Sequence, residues 1–248
     1  MNPVGRMLLG IDVGGSSIKG GLVDIDAGRL QSELLSVPTP RPARPESVMG
    51  AIAQLAGTLP ETSAVGVAFP SVVQGGKART AAHIDASWID VDGAALAERM
   101  LARRAVFLND ADAAGIAEMQ FGAGRGLKGV VIMLTFGTGI GTALFADGKL
   151  FPNTELGHLE LHGMDAEEWA SARVRTALGL DWPAWIARVN DYLKRMHALF
   201  WPDHFILGGA VSERFEEFAP HLESAAQIRP AQFAGQAGVI GAALAAAP

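Results

Sequence analysis

Asp12–Gly20 reads DVGGSSIKG and Thr135–Ala143 reads TFGTGIGTA, and each of these glycine-rich turns interrupts an apolar, strand-like run. Backbone approaches a phosphate closely only where side chains are missing, and successive N–H groups in a tight glycine turn converge on an anion. Two such turns predict two facing walls around a phosphate chain.

The surroundings of the turns repeat. Met7–Val13, Ile18–Ile25 and Leu30–Val37 read as a three-stranded meander around the first turn. The proline-rich segment 38–45 breaks it, Val48, Ile52, Leu55 and Leu59 recur at helical spacing over Glu46–Leu59, and Ala64–Phe69 is a continuous apolar strand. A helix is expected over Asp92–Arg104, a buried strand over Ala105–Leu108 ending at Asn109 and Asp110, and a helix over Ala111–Phe121. The second half follows the same plan, with strands Val130–Phe136, Thr142–Phe145 and Lys149–Phe151, helices Ala166–Leu178 and Trp182–Phe200, and a strand His204–Leu207. This predicts a duplicated α/β fold. The expected division is residues 1–109 and 110–236, with the C-terminal helix 237–248 returning to the first domain.

Composition narrows the function. The 248 residues are 49% hydrophobic, ample for two cores, and 20 basic against 26 acidic residues give a net charge of −6. That balance argues against nucleic acid as a partner. The absence of cysteine excludes disulfides, thiolate catalysis and cysteine-based zinc sites. Asp12 cuts the first apolar run short of a secretory signal, so a cytoplasmic protein is expected. The uncharged stretch Gly129–Ala146 has the length of a membrane span, but its four glycines and three threonines fit two buried strands and a turn, not a membrane segment.

Several residues carry chemistry. Asp12 beside a phosphate site makes sense with a divalent cation between them, with Lys19 nearby; the alternative is a turn-forming aspartate. No GxxxxGK[ST] is present, so this is no P-loop. Asn109 and Asp110 lie where a strand gives way to a helix: a carboxylate there can accept a hydroxyl proton and an amide can fix a sugar or alcohol, although Asp110 or Asp112 could equally cap the helix. Pro152–Gly163, PNTELGHLELHG, offers Asn153, Glu155, His158, Glu160 and His162 without HExxH spacing, and reads as a wall for hydroxyls with Glu155 and His158 foremost. LGGAVS, Leu207–Ser212, is a third glycine site, suited to a nucleotide or to close helix–strand packing.

Together these segments resemble the ROK group of sugar kinases in the actin-like superfamily, and within it the polyphosphate glucokinase branch. The resemblance runs over nearly the whole chain, through GIDVGGSSIKGGLVD, ARTAAHIDASWI, VFLNDADAAGIAE, LTFGTGIGTAL, PNTELGHLE, LGGAVS and AGVIGAALAA. It implies an actin-like ATPase (ribonuclease H-like) fold of two similar α/β domains with a cleft between them. It also implies transfer of a phosphoryl group to the 6-hydroxyl of glucose or a related hexose, from polyphosphate, ATP or both. Asp110 would be the base; Asn109, Glu155, His158, Glu167, His83 and Asp85 would bind the sugar. Asp12, Gly14, Gly15, Ser16, Lys19, Thr135, Gly137, Thr138 and Gly139 would hold phosphate, Gly208 and Gly209 the nucleotide, and Asp12 a Mg²⁺ through water, with no zinc.

Against the branch's pattern, His83 stands where asparagine is common, Ser71 follows Pro70 where glycine is usual, Ala210 replaces a third glycine and Gln236 a common glutamate. Lys19, Lys77 and Arg79 are the basic residues available to a polyphosphate path. The resemblance further implies a homodimer. Alternatives are a strictly ATP-dependent glucokinase or glucomannokinase, and a non-catalytic sugar-binding regulator, for which the eleven residues ahead of Asp12 leave no room for a helix-turn-helix module.

Overall fold

The computed structural model describes residues 6–82 and 84–248. Contacts divide the chain into a first unit, up to Phe121 together with Gln236–Pro248, and a second unit, Gly122–Gly235. The helix Asp110–Phe121, which the expected division placed in the second half, thus packs with the first.

In the first unit β1 (Met7–Val13), β2 (Ser17–Asp24), β3 (Arg29–Leu30), β4 (Leu35–Pro38), β5 (Ala64–Phe69), the small hairpin β6 (Val73–Gln74) and β7 (Lys77–Ala78), and β8 (Arg104–Asn109) are joined by α1 (Pro45–Ala56) and α2 (Gly93–Leu101), and α3 (Asp110–Phe121) follows β8. The main sheet runs β3-β2-β1-β5-β8, with β4 also on β2. β1 pairs antiparallel with β2 and parallel with β5, which is parallel to β8. Leu9, Ile11 and Val13 alternate along β1 into a core with Val48, Met49 and Ile52 of α1, closed by the fully buried Trp88 against Phe69, ring centres 4.3 Å apart. The strand expected over Leu30–Val37 is two pieces. Ser32 stands between them, its Oγ accepting the Leu22 N–H at 3.0 Å, so a side chain replaces one rung of the ladder.

The second unit repeats the order. β9 (Val130–Phe136), β10 (Ile140–Ala146), β11 (Lys149–Phe151), the short hairpin β12 (Glu160–Leu161) and β13 (Met164–Asp165), α4 (Ala166–Ala170), α5 (Ala172–Ala177), α6 (Trp182–Phe200), β14 (His204–Gly208), α7 (Phe215–Phe218) and β15 (Gln227–Pro230) follow one another. The sheet is β11-β10-β9-β14-β15. Numbering the five strands of each main path by appearance, both units read 3-2-1-4-5, with two antiparallel pairings forming a meander and two parallel additions. Trp185, Ile186, Val189, Leu193 and Met196 form the buried stripe of α6 against Ile132, Leu134 and Phe205. The helix expected over Ala166–Leu178 is broken at Ser171, whose extended backbone (φ −65°, ψ 160°) ends α4 and whose Oγ caps α5. Beyond β14 the glycine segment Leu207–Ser212 leads into a 3₁₀ turn, Ala210–Arg214.

After the second unit the chain returns as α8 (Ala237–Ala245). Its sequence, AGVIGAALA, is apolar on every side and nearly all buried between β1, β5 and α3. Glycine permits backbone-to-backbone contact here: a Cβ on Gly10 would lie 1.9 Å from the Val239 carbonyl oxygen, and one on Gly241 1.6 Å from that of Ala113. Among the described residues no helix is long and apolar enough to cross a membrane.

Candidate active site

The first glycine turn is closed by the Gly14 N–H donating to Ser17 O at 2.9 Å. Thr39 holds it from outside the turn, its hydroxyl donating to Gly14 O at 2.6 Å and its N–H to Ser16 O at 3.1 Å. The turn's carbonyls are thereby engaged, and Gly15 and Ser16 are exposed. Asp12 and Lys19 face each other in the β1–β2 register just below. The Asp12 carboxylate abuts the first turn of α8, where a Cβ on Gly238 would come within 2.6 Å of its Cγ. Loss of hydration raises the Asp12 pKa above the ordinary carboxylate value, and the Lys19 charge opposes that shift.

The parallel pairings carry Asp12 and Asn109 to the same, carboxyl-terminal end of the sheet. Asn109 is 6% exposed; its Oδ1 accepts the Asp112 N–H at 2.9 Å and its Nδ2 donates to Ser71 O at 3.1 Å. The helix cap is therefore Asn109, and Asp110 opens α3 at the position beyond it, its Oδ1 accepting the adjacent Ala111 N–H at 2.8 Å. Positive polarity at the α3 N-terminus favours a negative group there. Ser71 is buried and its hydroxyl lies 2.8 Å from both Val72 O and Thr80 O, tying the loop under Asn109 to the chain just past the β6–β7 hairpin.

In the second unit the turn between β9 and β10 is closed by Gly137 N–H to Gly139 O at 3.0 Å, and the register places Gly208 beside Thr135. Gly209 (φ +83°) packs its α-carbon against Phe136, where a Cβ would fall 2.3 Å from the carbonyl oxygen. The close-packing alternative for this glycine pair thus has a concrete basis. Ile140, the residue after the turn, donates its N–H to Glu167 Oε2 at 3.3 Å, and Gly157 sits against its carbonyl. Glu167 and the Glu155–His158 segment are therefore both anchored at one residue beside the phosphate turn.

His158 Nδ1 lies 2.8 Å from Asp165 Oδ2, and its Nε2 lies 3.8 Å from Glu155 Oε2. A carboxylate on one ring nitrogen fixes the ring's orientation and tautomer. The loop carrying Glu155 and His158 is held from beneath by Thr142, whose hydroxyl donates to Thr154 O at 2.6 Å, and by the Tyr192 hydroxyl, which donates to Leu156 O at 3.0 Å. Burial, then the Glu167 charge, pushes the Tyr192 phenol pKa upward, so it remains a neutral donor.

Other expected site residues lie differently. Asp85 spends Oδ1 on the Ser87 hydroxyl (2.6 Å) and N–H (2.9 Å), which lower its pKa. His162 turns to Asp191 at 3.2 Å and packs on Trp169. Arg79 is paired with Asp90 at 2.6 Å. His83 lies outside the described residues. Reading by motif passed over Thr39, Asp165, Tyr192 and the Ser71–Thr80 tie. Only the HGMDAEE segment carried any signal, an aspartate just past a histidine-rich loop.

Among the described residues no cluster of three or more His, Asp or Glu side chains is placed to hold a metal ion. Mg²⁺ needs no such cage, because it keeps several waters and takes one or two carboxylates plus substrate phosphates. Asp12, with its hydration already reduced, its neighbour Gly238 lacking a side chain and a glycine turn directly above, fits that donor set.

Comparison with known proteins places this geometry. The chain is 43% identical to the polyphosphate glucokinase of Mycobacterium tuberculosis over 95% of its own length and 89% of that protein's. It superposes on the inorganic polyphosphate/ATP-glucomannokinase of Arthrobacter sp. strain KM with a TM-score of 0.93 and 46% identity, covering 97% of this chain and 98% of that one. A ROK family glucokinase from Streptomyces griseus, solved with glucose and AMPPNP, gives a TM-score of 0.84 at 26% identity over 97% and 99% of the two chains. The repeated 3-2-1-4-5 units are those of the actin-like ATPase, ribonuclease H-like fold. Residues 8–169 match the ROK family, and with relatives this similar over nearly its full length, the chain belongs to that family.

Proposed function

We propose that this protein is a glucokinase that transfers a phosphoryl group from inorganic polyphosphate or ATP to the 6-hydroxyl of glucose, with Asp110 as general base. The observation that carries the reading is the exit of β8. There Asn109 is locked by its cap and by Ser71, which sets the Asp110 carboxylate at the carboxyl end of the same sheet that presents Asp12 and the first glycine turn. Asp110 orients the hydroxyl and takes its proton as the hydroxyl oxygen bonds the terminal phosphorus and the bridging P–O bond breaks, releasing ADP or a polyphosphate one unit shorter, while Asn109 and the Glu155–His158 loop bind the remaining hydroxyls. Exposed N–H groups of both turns receive the donor's phosphate oxygens. A Mg²⁺ held at Asp12 through water would neutralise charge on the transferred group. The name of the Arthrobacter relative favours mannose as a second acceptor.

The test is a comparison of initial rates of glucose 6-phosphate formation with long-chain polyphosphate and with ATP at equal terminal phosphate. Turnover with both is expected. Turnover with neither overturns the reading, and turnover with ATP alone restricts it to an ATP glucokinase.

Asp12 gives a second test. Its folded-state pKa lies above the unfolded value, so the cost of ionising it in the fold sets in as pH rises through that window and is complete above it. Asp12→Asn should therefore melt no lower than wild type at neutral pH without ligands, yet lose about 100-fold or more in kcat/KM and lose the shift in Tm that Mg²⁺ with donor gives wild type. A variant that keeps the Mg²⁺-dependent shift would show that the ion is held elsewhere.

A further inference from the structure

The second unit gathers arginines beside the turn Gly137–Gly139 that the chemistry above leaves unused. Arg173, in the first turn of α5, donates its backbone N–H to Gly137 O at 3.1 Å and its Nε to Thr138 O at 3.0 Å. Its side chain is exposed, and its terminal nitrogens bond no described residue. Two residues on, Arg175 lays its guanidinium over the indole of Trp182, 3.7 Å from the ring centre. Its Nε is buried and has no hydrogen-bond partner among the described residues. Stacking fixes the plane of a guanidinium while leaving its outer edge to receive an anion.

Trp182 is itself held in place. Its Nε1 donates to Glu217 Oε2 at 3.0 Å, and Arg214 clasps the same carboxylate through two contacts of 2.6 Å. Those bonds, Arg214's first, hold the Glu217 pKa at about 2. Arg214 ends the 3₁₀ turn that follows Gly209, the residue seated on Phe136 just ahead of the glycine turn. Both segments flanking the turn thus bring an arginine to one indole. The Arg214 charge is cancelled by Glu217, whose carboxylate also feels the Arg175 charge at longer range, whereas Arg173 and Arg175 make no ion pair with a described residue.

The glycine turns suffice for the reacting end of a donor. Cationic groups beyond the turn are useful to a donor that continues past a triphosphate, and a linear chain of condensed phosphate has this form. We infer that Arg173 and Arg175 form a track holding the trailing, non-transferred phosphates of inorganic polyphosphate; this rests on the polyphosphate reading of the site proposed above.

The experiment compares wild type with Arg173→Gln, Arg175→Gln and the double variant, using long-chain polyphosphate, tripolyphosphate and ATP as donors. The ratio of kcat/KM for long-chain polyphosphate over that for ATP should fall about tenfold or more in the double variant, chiefly through KM, and less for tripolyphosphate. The dependence of log KM for polyphosphate on log salt should become shallower, as lost cation–phosphate contacts require. Arg173→Lys with Arg175→Lys should restore part of both. Arg173→Gln carries the test should the double variant not fold, because among the described residues that exposed side chain bonds only the Thr138 carbonyl. If wild type uses polyphosphate and the ratio and salt slope do not change, the track is refuted while the glucokinase reading stands. If wild type uses ATP alone, the track and the polyphosphate reading fall together.

Discussion

Asp110→Asn is expected to lower kcat by about a thousandfold or more while changing the dissociation constant for glucose by less than about tenfold. The substitution is nearly isosteric, and an asparagine Oδ1 still accepts the Ala111 N–H that the aspartate accepts at 2.8 Å. The start of α3 and the Asn109 cap then survive, and the group lost is the proton acceptor. Steady-state kinetics with both donors, together with glucose titration by calorimetry, separate the two effects. A variant retaining a tenth of wild-type kcat would show that the proton leaves by another route. A variant with full glucose affinity and no turnover would fit Asp110 acting on the hydroxyl, not on sugar binding.

Gly241→Ala should be the most damaging of the single-methyl additions. The new carbon would lie 1.6 Å from the Ala113 carbonyl oxygen, and that neighbour is backbone, which no rotamer change can move aside. α8 and α3 must separate, which disturbs the Asn109 cap at one end of α3 and the Gly238–Asp12 contact at the start of α8. A destabilisation of about 3 kcal/mol or more is expected, lowering Tm by roughly 6–12 °C, with loss of activity in the fraction that folds. Gly50→Ala is the matched control. It lies inside α1 with nothing within 4 Å of the added carbon, and should raise stability by about 0.5–1 kcal/mol. Equal melting of the two variants would mean that the helices separate without cost.

Where the hydrophobic spacing stayed regular, it was enough to bound the elements: Met7–Val13, Ala64–Phe69, Val130–Phe136 and Trp182–Phe200 coincide with β1, β5, β9 and α6. Burial of a continuous face sets these limits, and hydrophobic spacing records it. The breaks at Ser32 and Ser171 were not legible, because each depends on a hydroxyl replacing a backbone partner within an otherwise regular pattern. The site shows the same division. The glycine turns and the Asn109–Asp110 pair announce themselves by composition and position. Which of Asn109, Asp110 and Asp112 caps α3 depends on rotamers set by Ser71, and the Asp165 carboxylate on His158 depends on a two-residue hairpin that no periodicity reveals.

The return of α8 has a consequence for how the protein is made. Residues 122–235 form one unbroken stretch and hold every strand of their own sheet, so that unit can fold as soon as it leaves the ribosome. The half that is synthesised earlier must wait. Until residues 237–245 emerge, the glycine-floored face of β1 and the alanine face of α3 have no partner, and the Asp12 carboxylate lacks the helix end that flanks it. The order of birth and the order of completion are therefore opposite, and a nascent chain halted before Ala237 presents a finished second unit behind an open first one.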